Sequence, residues 1–332
     1  MTGRRPDGFH ELVTVFQRVS LHDRLTVRRT SRPGLVLHCS EASLAGPDNI
    51  LFSAWELLRR EYGLDGGVEA ELEKNIPVRA GLGGGSADAA AFLTCCARLF
   101  HLPGALPQED GAGDAAPATV SGAFPDPGTP PAAFASHLPA VSTPEMPTDD
   151  PSGSGPGGAP ASSAALLPAS GTEAALLAPL AARLGSDVAA CLYPGASLGR
   201  GRGELLTPLH SRLSFPLLIL RPDAGCSTAA MYAALDRAGA FDNQEKVLAC
   251  ARALERGSLS GLCAALCNSF EQVLPPALLQ PKEALLAAGA EAALLAGSGS
   301  CVFGIFASGD AASAAYQALS GPYQAFLCRT LP

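Results

Sequence analysis

Apolar residues recur along this chain at two spacings, every second position in some stretches and every third or fourth in others, which separates strands from helices. Phe9 to Val19 and Arg24 to Arg29 carry β-branched and apolar residues suited to strands, and Leu35 to Cys39 continues the pattern. A helix is predicted from about Asn49, with Asp48 as its cap, Leu51, Trp55, Leu58 and Tyr62 on one face, and Gly63 as its stop. On that face Trp55 reads as core, and not as a platform for a ligand. A second helical run covers Ala89 to Phe100. Beyond it, Glu173 to Leu184, Ala229 to Ala238, Glu245 to Leu266, Pro281 to Ala288 and Ala311 to Leu319 read as helices. Phe215 to Leu220 and Cys301 to Phe306 read as short buried strands.

The pattern fails between about Pro103 and Gly171, a stretch that holds half of the 28 prolines and lacks any Lys or Arg. Runs such as Pro151 to Gly158 cannot bury enough side chain to offset the entropy of ordering, so residues 103–171 are expected to be a disordered insertion. It interrupts one domain rather than separating two. The expected division is an N-terminal domain from residues 1–102 and 172–210 and a C-terminal domain from residues 211–332.

Composition narrows the partners. At 332 residues and 47% hydrophobic, the chain can bury the cores of two ordinary domains. A net charge of -8 leaves no broad cationic surface for a nucleic acid or an anionic membrane. Any phosphorylated ligand must therefore be held locally, by backbone N–H groups and a few side chains. With no apolar run of spanning length and no apolar stretch in Met1 to Gly8, a cytoplasmic location is expected. The ten cysteines include Cys95 with Cys96 and Cys263 with Cys267 but no C-x-x-C pair, and they read as reduced hydrophobes.

The candidate chemistry begins at Pro77-Val78-Arg79-Ala80-Gly81-Leu82-Gly83-Gly84-Gly85-Ser86-Ala87-Asp88, directly before the helical run. Four glycines in five positions expose backbone amides, and the helix N-terminus behind them adds oriented N–H groups: the combination is a phosphate cradle. Ser86 is placed to cap the helix, to contact a phosphate oxygen or to help hold Mg2+. No Lys follows the last glycine as in a Walker A loop, and Ser86 stands where a dinucleotide fingerprint needs Gly or Ala.

Proline, a short spacer and Gly-Leu-Gly-Gly-Gly-Ser-x-Asp-Ala-Ala resemble the second signature of the GHMP kinases. That resemblance implies ATP binding by Pro77 through Ala87 and an α+β fold in two parts: an N-terminal domain like domain 2 of ribosomal protein S5, and a ferredoxin-like C-terminal domain. Gly3 to Leu12, continuing to Gln17, is similar to the segment of the family branch that phosphorylates a cytidine diphosphate-linked methylerythritol. Phe9 would stack on the cytosine and His10 would hydrogen-bond it. Leu184 to Ala189 with Leu198 to Glu204 matches a third region, in which Asp187 would accept the proton of the attacking hydroxyl. From local sequence alone the favoured reading of Asp187 is a turn or helix-cap carboxylate after Gly185. Arg200, Arg202 and Glu204 are placed to line the site or to pair with one another. Ala296 to Phe303 resembles the C-terminal signature, where Gly297 and Gly299 allow close backbone approach to the substrate or to the phosphate loop. The resemblance also implies Asn49 at the adenine, Thr228 on the substrate side, and ATP and Mg2+ as the cofactors. Arg79 and Lys74 flank the loop as further cations, readable also as solvated residues.

The family opens with a strand of the type Pro-Ala-Lys-x-Asn-Leu that supplies a catalytic lysine. No such strand lies among these 332 residues, and the first lysine is Lys74. The expectation is that the reading frame starts upstream of Met1, and that the chain as it stands is weakly active or inactive and exposes a sheet edge. A kinase for another small alcohol and a non-catalytic nucleotide-binding relative stay open as alternatives.

Overall fold

Along the chain, β1 (Gly3–Arg4) turns back into β2 (His10–Gln17), and β3 (Arg24–Thr30) and β4 (Gly34–Cys39) lead to α1 (Ile50–Tyr62), β5 (Gly67–Glu73) and α2 (Gly84–Leu99). Next come β6 (Ala118–Val120), α3 (Gly171–Leu184), α4 (Ser186–Leu192), β7 (Ala196–Gly201) and β8 (Leu205–Leu209). The remainder is β9 (Pro216–Arg221), α5 (Thr228–Ala238), α6 (Gln244–Glu255), α7 (Leu259–Ala265), α8 (Leu279–Ala287), β10 (Ala292–Leu295), β11 (Val302–Ile305), α9 (Gly309–Leu319) and β12 (Gln324–Arg329). This computed structural model describes residues 1, 3–6, 8–105, 118–120, 171–211, 213–223, 225, 227–239 and 243–332, with 118–120 as backbone.

The strands form three four-stranded sheets among the described residues, in the orders β1-β2-β7-β8, β4-β5-β3-β6 and β10-β11-β9-β12. The second sheet shows how pattern sets register. Leu25 opposes Leu72 and Val27 opposes Ala70 on the buried face. On the other face Arg24 opposes Glu73 and Arg28 opposes Glu69, each joined by a hydrogen bond. A slip of one residue would bury those charges. The buried face packs on Leu51, Trp55 and Leu58 of α1 and Phe92 and Leu93 of α2.

In the third sheet β9 is central and apolar on both faces. Leu218 and Leu220 face Leu235 of α5 and Leu285 of α8, while Leu217 and Ile219 face Leu254 of α6 and Leu262 of α7. Val247 and Ala251 of α6 also pack on Leu198 and Val13, which ties the third sheet to the first. The α+β, two-part expectation holds in this arrangement.

Several boundaries differ from the sequence reading. The cap of α1 is Asn49 and not Asp48: its side chain accepts the Leu51 N–H at 3.0 Å, and Gly63 closes the helix in the left-handed region as expected. α2 starts at Gly84, so glycines form its first turn. The single helix expected over 245–266 is two, because Gly257 has φ +68° and Ser258 starts α7 by accepting the Gly261 N–H. Strands β5, β7, β8, β10 and β12 and helix α4 were not anticipated. Within the expected insertion, β6 pairs in register with Leu25 to Val27 of β3, so that part is ordered backbone. The rest of the disorder expectation, residues 106–117 and 121–170, lies outside the described residues. β1 pairs only with His10 and Glu11, and from Leu12 to Gln17 the outer edge of β2 has no strand partner among the described residues.

Where the insertion leaves and re-enters the domain, Arg98 of α2 grips Glu173 of α3 through Nε to Oε1 at 2.7 Å and Nη2 to Oε2 at 2.6 Å. Both side chains are buried. Truncating one partner strands the other charge, so Glu173→Ala is expected to lower stability by about 3–5 kcal/mol. The pair Arg98→Met with Glu173→Leu is expected to cost much less than the sum of its single changes. Urea unfolding of the four proteins measures the coupling, and additive costs would remove the pair from the account.

Candidate active site

The chain between β5 and α2 is the glycine loop, and its entry is anchored by charge. Asp23 Oδ1 accepts the N–H groups of Asn75 at 2.6 Å and Ile76 at 2.8 Å. Lys74 Nζ sits between Asp23 and Asp88, 2.6 Å from Asp88 Oδ2. All three side chains are buried, so Lys74 is not the exposed flanking cation that its position suggests, and it is committed to structure. Burial works to lower the Lys74 pKa, and the two carboxylates outweigh it and raise it. Asp88 is pushed up to about 7, first by burial and then by the neighbouring Asp23.

The far side of the loop meets the turn between β10 and β11 backbone to backbone. A Cβ at Gly81, where φ is +76°, would lie 2.3 Å from the Ala296 carbonyl oxygen and 2.7 Å from that of Gly299. A Cβ at Gly297 would lie 2.8 Å from the Gly81 carbonyl oxygen. The Cys301 N–H donates to the Ala80 carbonyl at 3.1 Å and closes the contact. Asn268 then holds the second turn, donating to the carbonyls of Leu295 at 2.9 Å and Gly297 at 2.8 Å. Thr228 and Ser298 share a hydrogen bond of 2.8 Å across the same edge.

Gly83, in the left-handed region at φ +69°, is the N-cap of α2 and has no side chain to satisfy the helix's first amides. Those N–H groups are thus the unsatisfied donors of a sixteen-residue helix. Ser86 lies in the first turn, and not at the cap position. A cavity of about 1780 Å³ opens beside the loop, lined among others by Val78, Gly81 to Gly83, Asp187 and Thr228. That volume exceeds a usual small-molecule site and is enough for two ligands at once.

Asp187 stands in the first turn of α4. Its carboxylate borders this cavity and keeps contact with solvent, and the protein packed around it raises its pKa above the ordinary value by partial desolvation. It makes no capping bond, since the N-cap Gly185 carries no side chain and no N–H of the turn reaches the carboxylate. The cap reading of Asp187 is therefore replaced by a carboxylate left open to the cavity.

At the other end, His10 is stacked on Tyr232, with ring centroids 4.6 Å apart, and its Nε2 lies 2.6 Å from Asp236 Oδ1. The carboxylate accepts a hydrogen bond, so the tautomer with its proton on Nε2 is the one that fits. Tyr232 borders the cavity and is braced edge-on by Phe270 at 5.0 Å. Phe9 is 53% exposed, and the Arg202 guanidinium lies 5.0 Å from its ring centroid. Arg202 also pairs with Glu204 at 3.6 Å, one of the two alternatives open from sequence. Asn49 stays away from the cavity lining: its amide is used by the cap and by donation to the Leu44 carbonyl at 2.8 Å. Sequence reasoning missed Asp23, Tyr232, Asp236 and Asn268. Tyr232 carried a signal, being one helical turn past Thr228 and able to share its face.

Among the described residues no cluster of three His, Cys, Asp or Glu is arranged to hold a metal ion. The nine described cysteines are free thiols, and burial pushes Cys95 and Cys301 up to about 12. No helix among the described residues is long and apolar enough to cross a membrane.

Known proteins resemble this chain over most of its length. The family description "GHMP kinases N terminal domain" matches residues 49–121, and "GHMP kinases C terminal" matches residues 245–325. A 4-diphosphocytidyl-2-C-methyl-D-erythritol kinase of Moorella thermoacetica is 34% identical over 99% of this chain and 93% of its own length. One of Synechococcus sp. (strain JA-3-3Ab) is 35% identical over 96% of this chain and 84% of its own. A crystal structure of a 4-(cytidine 5'-diphospho)-2C-methyl-D-erythritol kinase superposes with a TM-score of 0.67 at 28% identity, covering 100% of this chain and 94% of that one. A mevalonate kinase of L. major shares the fold, with a TM-score of 0.64 at 16% identity over 97% of this chain and 90% of that one.

Two predictions come from the loop. Gly81→Ala must move one of two backbones, and is expected to cost at least about 2 kcal/mol and to abolish nucleotide-induced thermal stabilisation. Unchanged melting with and without ADP would refute the contact. Asp88, with its pKa raised from 3.8 to about 7, binds its proton more tightly in the folded state. Its contribution is therefore complete below the unfolded value and is lost as pH rises toward 7. Melting curves of Asp88→Asn are expected to show a smaller fall in stability between pH 5 and 8 than the parent.

Proposed function

The chain belongs to the 4-diphosphocytidyl-2-C-methyl-D-erythritol kinases of the GHMP family, and on that premise we propose how it transfers the γ-phosphate of ATP to the 2-hydroxyl of 4-diphosphocytidyl-2-C-methyl-D-erythritol, a step of non-mevalonate isoprenoid synthesis. The observation that carries the proposal is that Asp187, with no hydrogen-bond partner among the described residues, borders the same cavity as Gly81 to Gly83, the loop that leads into α2. One feature binds phosphate and the other accepts a proton, which are the two needs of phosphoryl transfer to an alcohol.

In this reading the backbone of Pro77 through Ala87 cradles the ATP phosphates, with the α2 dipole favouring their charge. Asp187 takes the proton of the substrate hydroxyl. A raised carboxyl pKa makes Asp187 a stronger base than a free carboxylate, and acid pH silences it by protonation. Phe9 offers an aromatic face to the cytosine, and His10, held by Asp236, offers a ring with a defined tautomer. Tyr232 lies on the same wall, suited to the second face of the base. Mg2+ fits as an ion held mainly by the phosphate oxygens, which needs no cluster of protein carboxylates; Ser86, in the first turn of α2, is the hydroxyl nearest to that role in sequence. When bound, the ion neutralises phosphate charge. Thr228, Gly297 and Gly299 border the acceptor side. A cytoplasmic setting suits an enzyme whose substrates are both soluble nucleotides.

Coupled ADP-release assays with this acceptor, and with mevalonate, homoserine and galactose as controls, test the reading. Turnover is expected with the cytidine compound alone. Asp187→Asn is expected to lower kcat by about 10²-fold or more with little change in either KM. The acid limb of the parent's pH profile should lie above the usual carboxylate range, because activity appears only as Asp187 ionises. His10→Ala should raise KM for the acceptor and leave that for ATP within about twofold. Full activity in Asp187→Asn would sink the proposed role.

A further inference from the structure

Buried cations in this protein come with their acids. Lys74 lies between two carboxylates, and Arg98 is held in a fork by Glu173. Arg18 departs from that rule. It follows the last residue of β2, and its backbone is fixed from two directions: the N–H donates to the Gly195 carbonyl at 3.0 Å, and the carbonyl accepts from the Leu331 N–H at 2.9 Å. The side chain is largely withdrawn from solvent and borders the cavity with Gly81 to Gly83, Asp88 and Asp187. Burial lowers its pKa, and the titratable group beside it is the Cys191 thiol, which burial pushes up to about 12 and so keeps uncharged, one turn beyond Asp187 on the same face of α4. Among the described residues no carboxylate pairs with it.

The other arginines of the cavity wall are placed differently. Arg79 is exposed at the loop, and Arg221 donates to the Val78 carbonyl at 3.4 Å and to Gln324 Oε1 at 3.3 Å. A guanidinium kept from water without a counter-ion is a cost to the empty protein, and it is offset when an anion arrives. A planar fork of N–H donors suits two oxygens of one phosphoryl group.

We propose that Arg18 is a phosphate-binding residue of the transfer site, holding phosphoryl oxygens between the glycine loop and Asp187. This rests on the kinase reading above. The oxygens belong either to the terminal phosphate of the nucleotide or to the diphosphate of the acceptor, and the chemistry of recognition is the same for both.

The replacement Arg18→Met keeps the length of the side chain and removes its charge. Thermal unfolding of the full chain, empty and with ATP or CDP, is read beside steady-state kinetics. Empty Arg18→Met is expected to melt at or above the parent temperature, since a buried unpaired charge is gone. Its ligand-induced rise should shrink, and KM for one phosphate ligand should increase about tenfold or more. Loss confined to ATP assigns the contact to the nucleotide, and loss confined to CDP assigns it to the acceptor. Arg18→Lys should recover part of the affinity. Added guanidinium ion should restore activity to Arg18→Ala, where urea, of the same shape without the charge, should not. Lower melting of Arg18→Met with both ligand shifts and both KM values intact would make Arg18 a structural residue and overturn the proposal. If the parent itself shows neither an ATP shift nor turnover, the kinase reading fails first; a normal parent beside an unchanged variant defeats the Arg18 assignment alone.

Discussion

At Gly81 and Gly297 two stretches of backbone touch with no side chain between them, and the cavity takes its shape from that contact. One stretch leads from the second sheet into α2, and the other joins two strands of the third sheet. Each is held in place by its own polar anchors, Asp23 with Lys74 and Asp88 on one side and Asn268 on the other. The anchors lie outside the contact, so the surface facing a ligand is left as bare amide. Side chains at these glycines would force the two stretches of backbone apart.

Charge is distributed by the same logic. Where an ion is structural, the chain supplies its partners, as at Arg98 with Glu173. Where a group is left to face the cavity, as at Asp187, partial desolvation acts on it with no compensating partner among the described residues and raises its proton affinity. Such uncompensated groups cost stability, and their place beside a ligand cavity is what makes that cost intelligible.

The sequence made the helices and the apolar strands legible because their periods are set by local geometry. Leu51, Trp55 and Leu58 share a face in any helix, and they fill the core here. The strand at Gly67–Glu73 escaped notice because its buried side includes the small Ala70 and its other side carries the glutamates Glu69, Glu71 and Glu73, giving a weak apolar signal. Glycines hid the start of α2 for a related reason: their low helix propensity is overridden by tertiary packing against Ile76. The glycine loop and Asp187 stood out through motif and chemistry. The partners that complete the site did not, since Asp23 reaches Lys74 across 51 positions and His10 reaches Asp236 across 226. No local window contains both members of either pair.

The fork between Arg98 and Glu173 has a bearing on how this chain tolerates variation in length. It clamps the two ends of the intervening segment to each other, and β6 fixes one further point of that segment on β3. For a flexible connection, closing a loop twice as long costs only about 0.6 kcal/mol more, less than breaking a buried ion pair. A change of length between these attachment points therefore costs folding little, and chain length can vary there while the helices on either side keep their places.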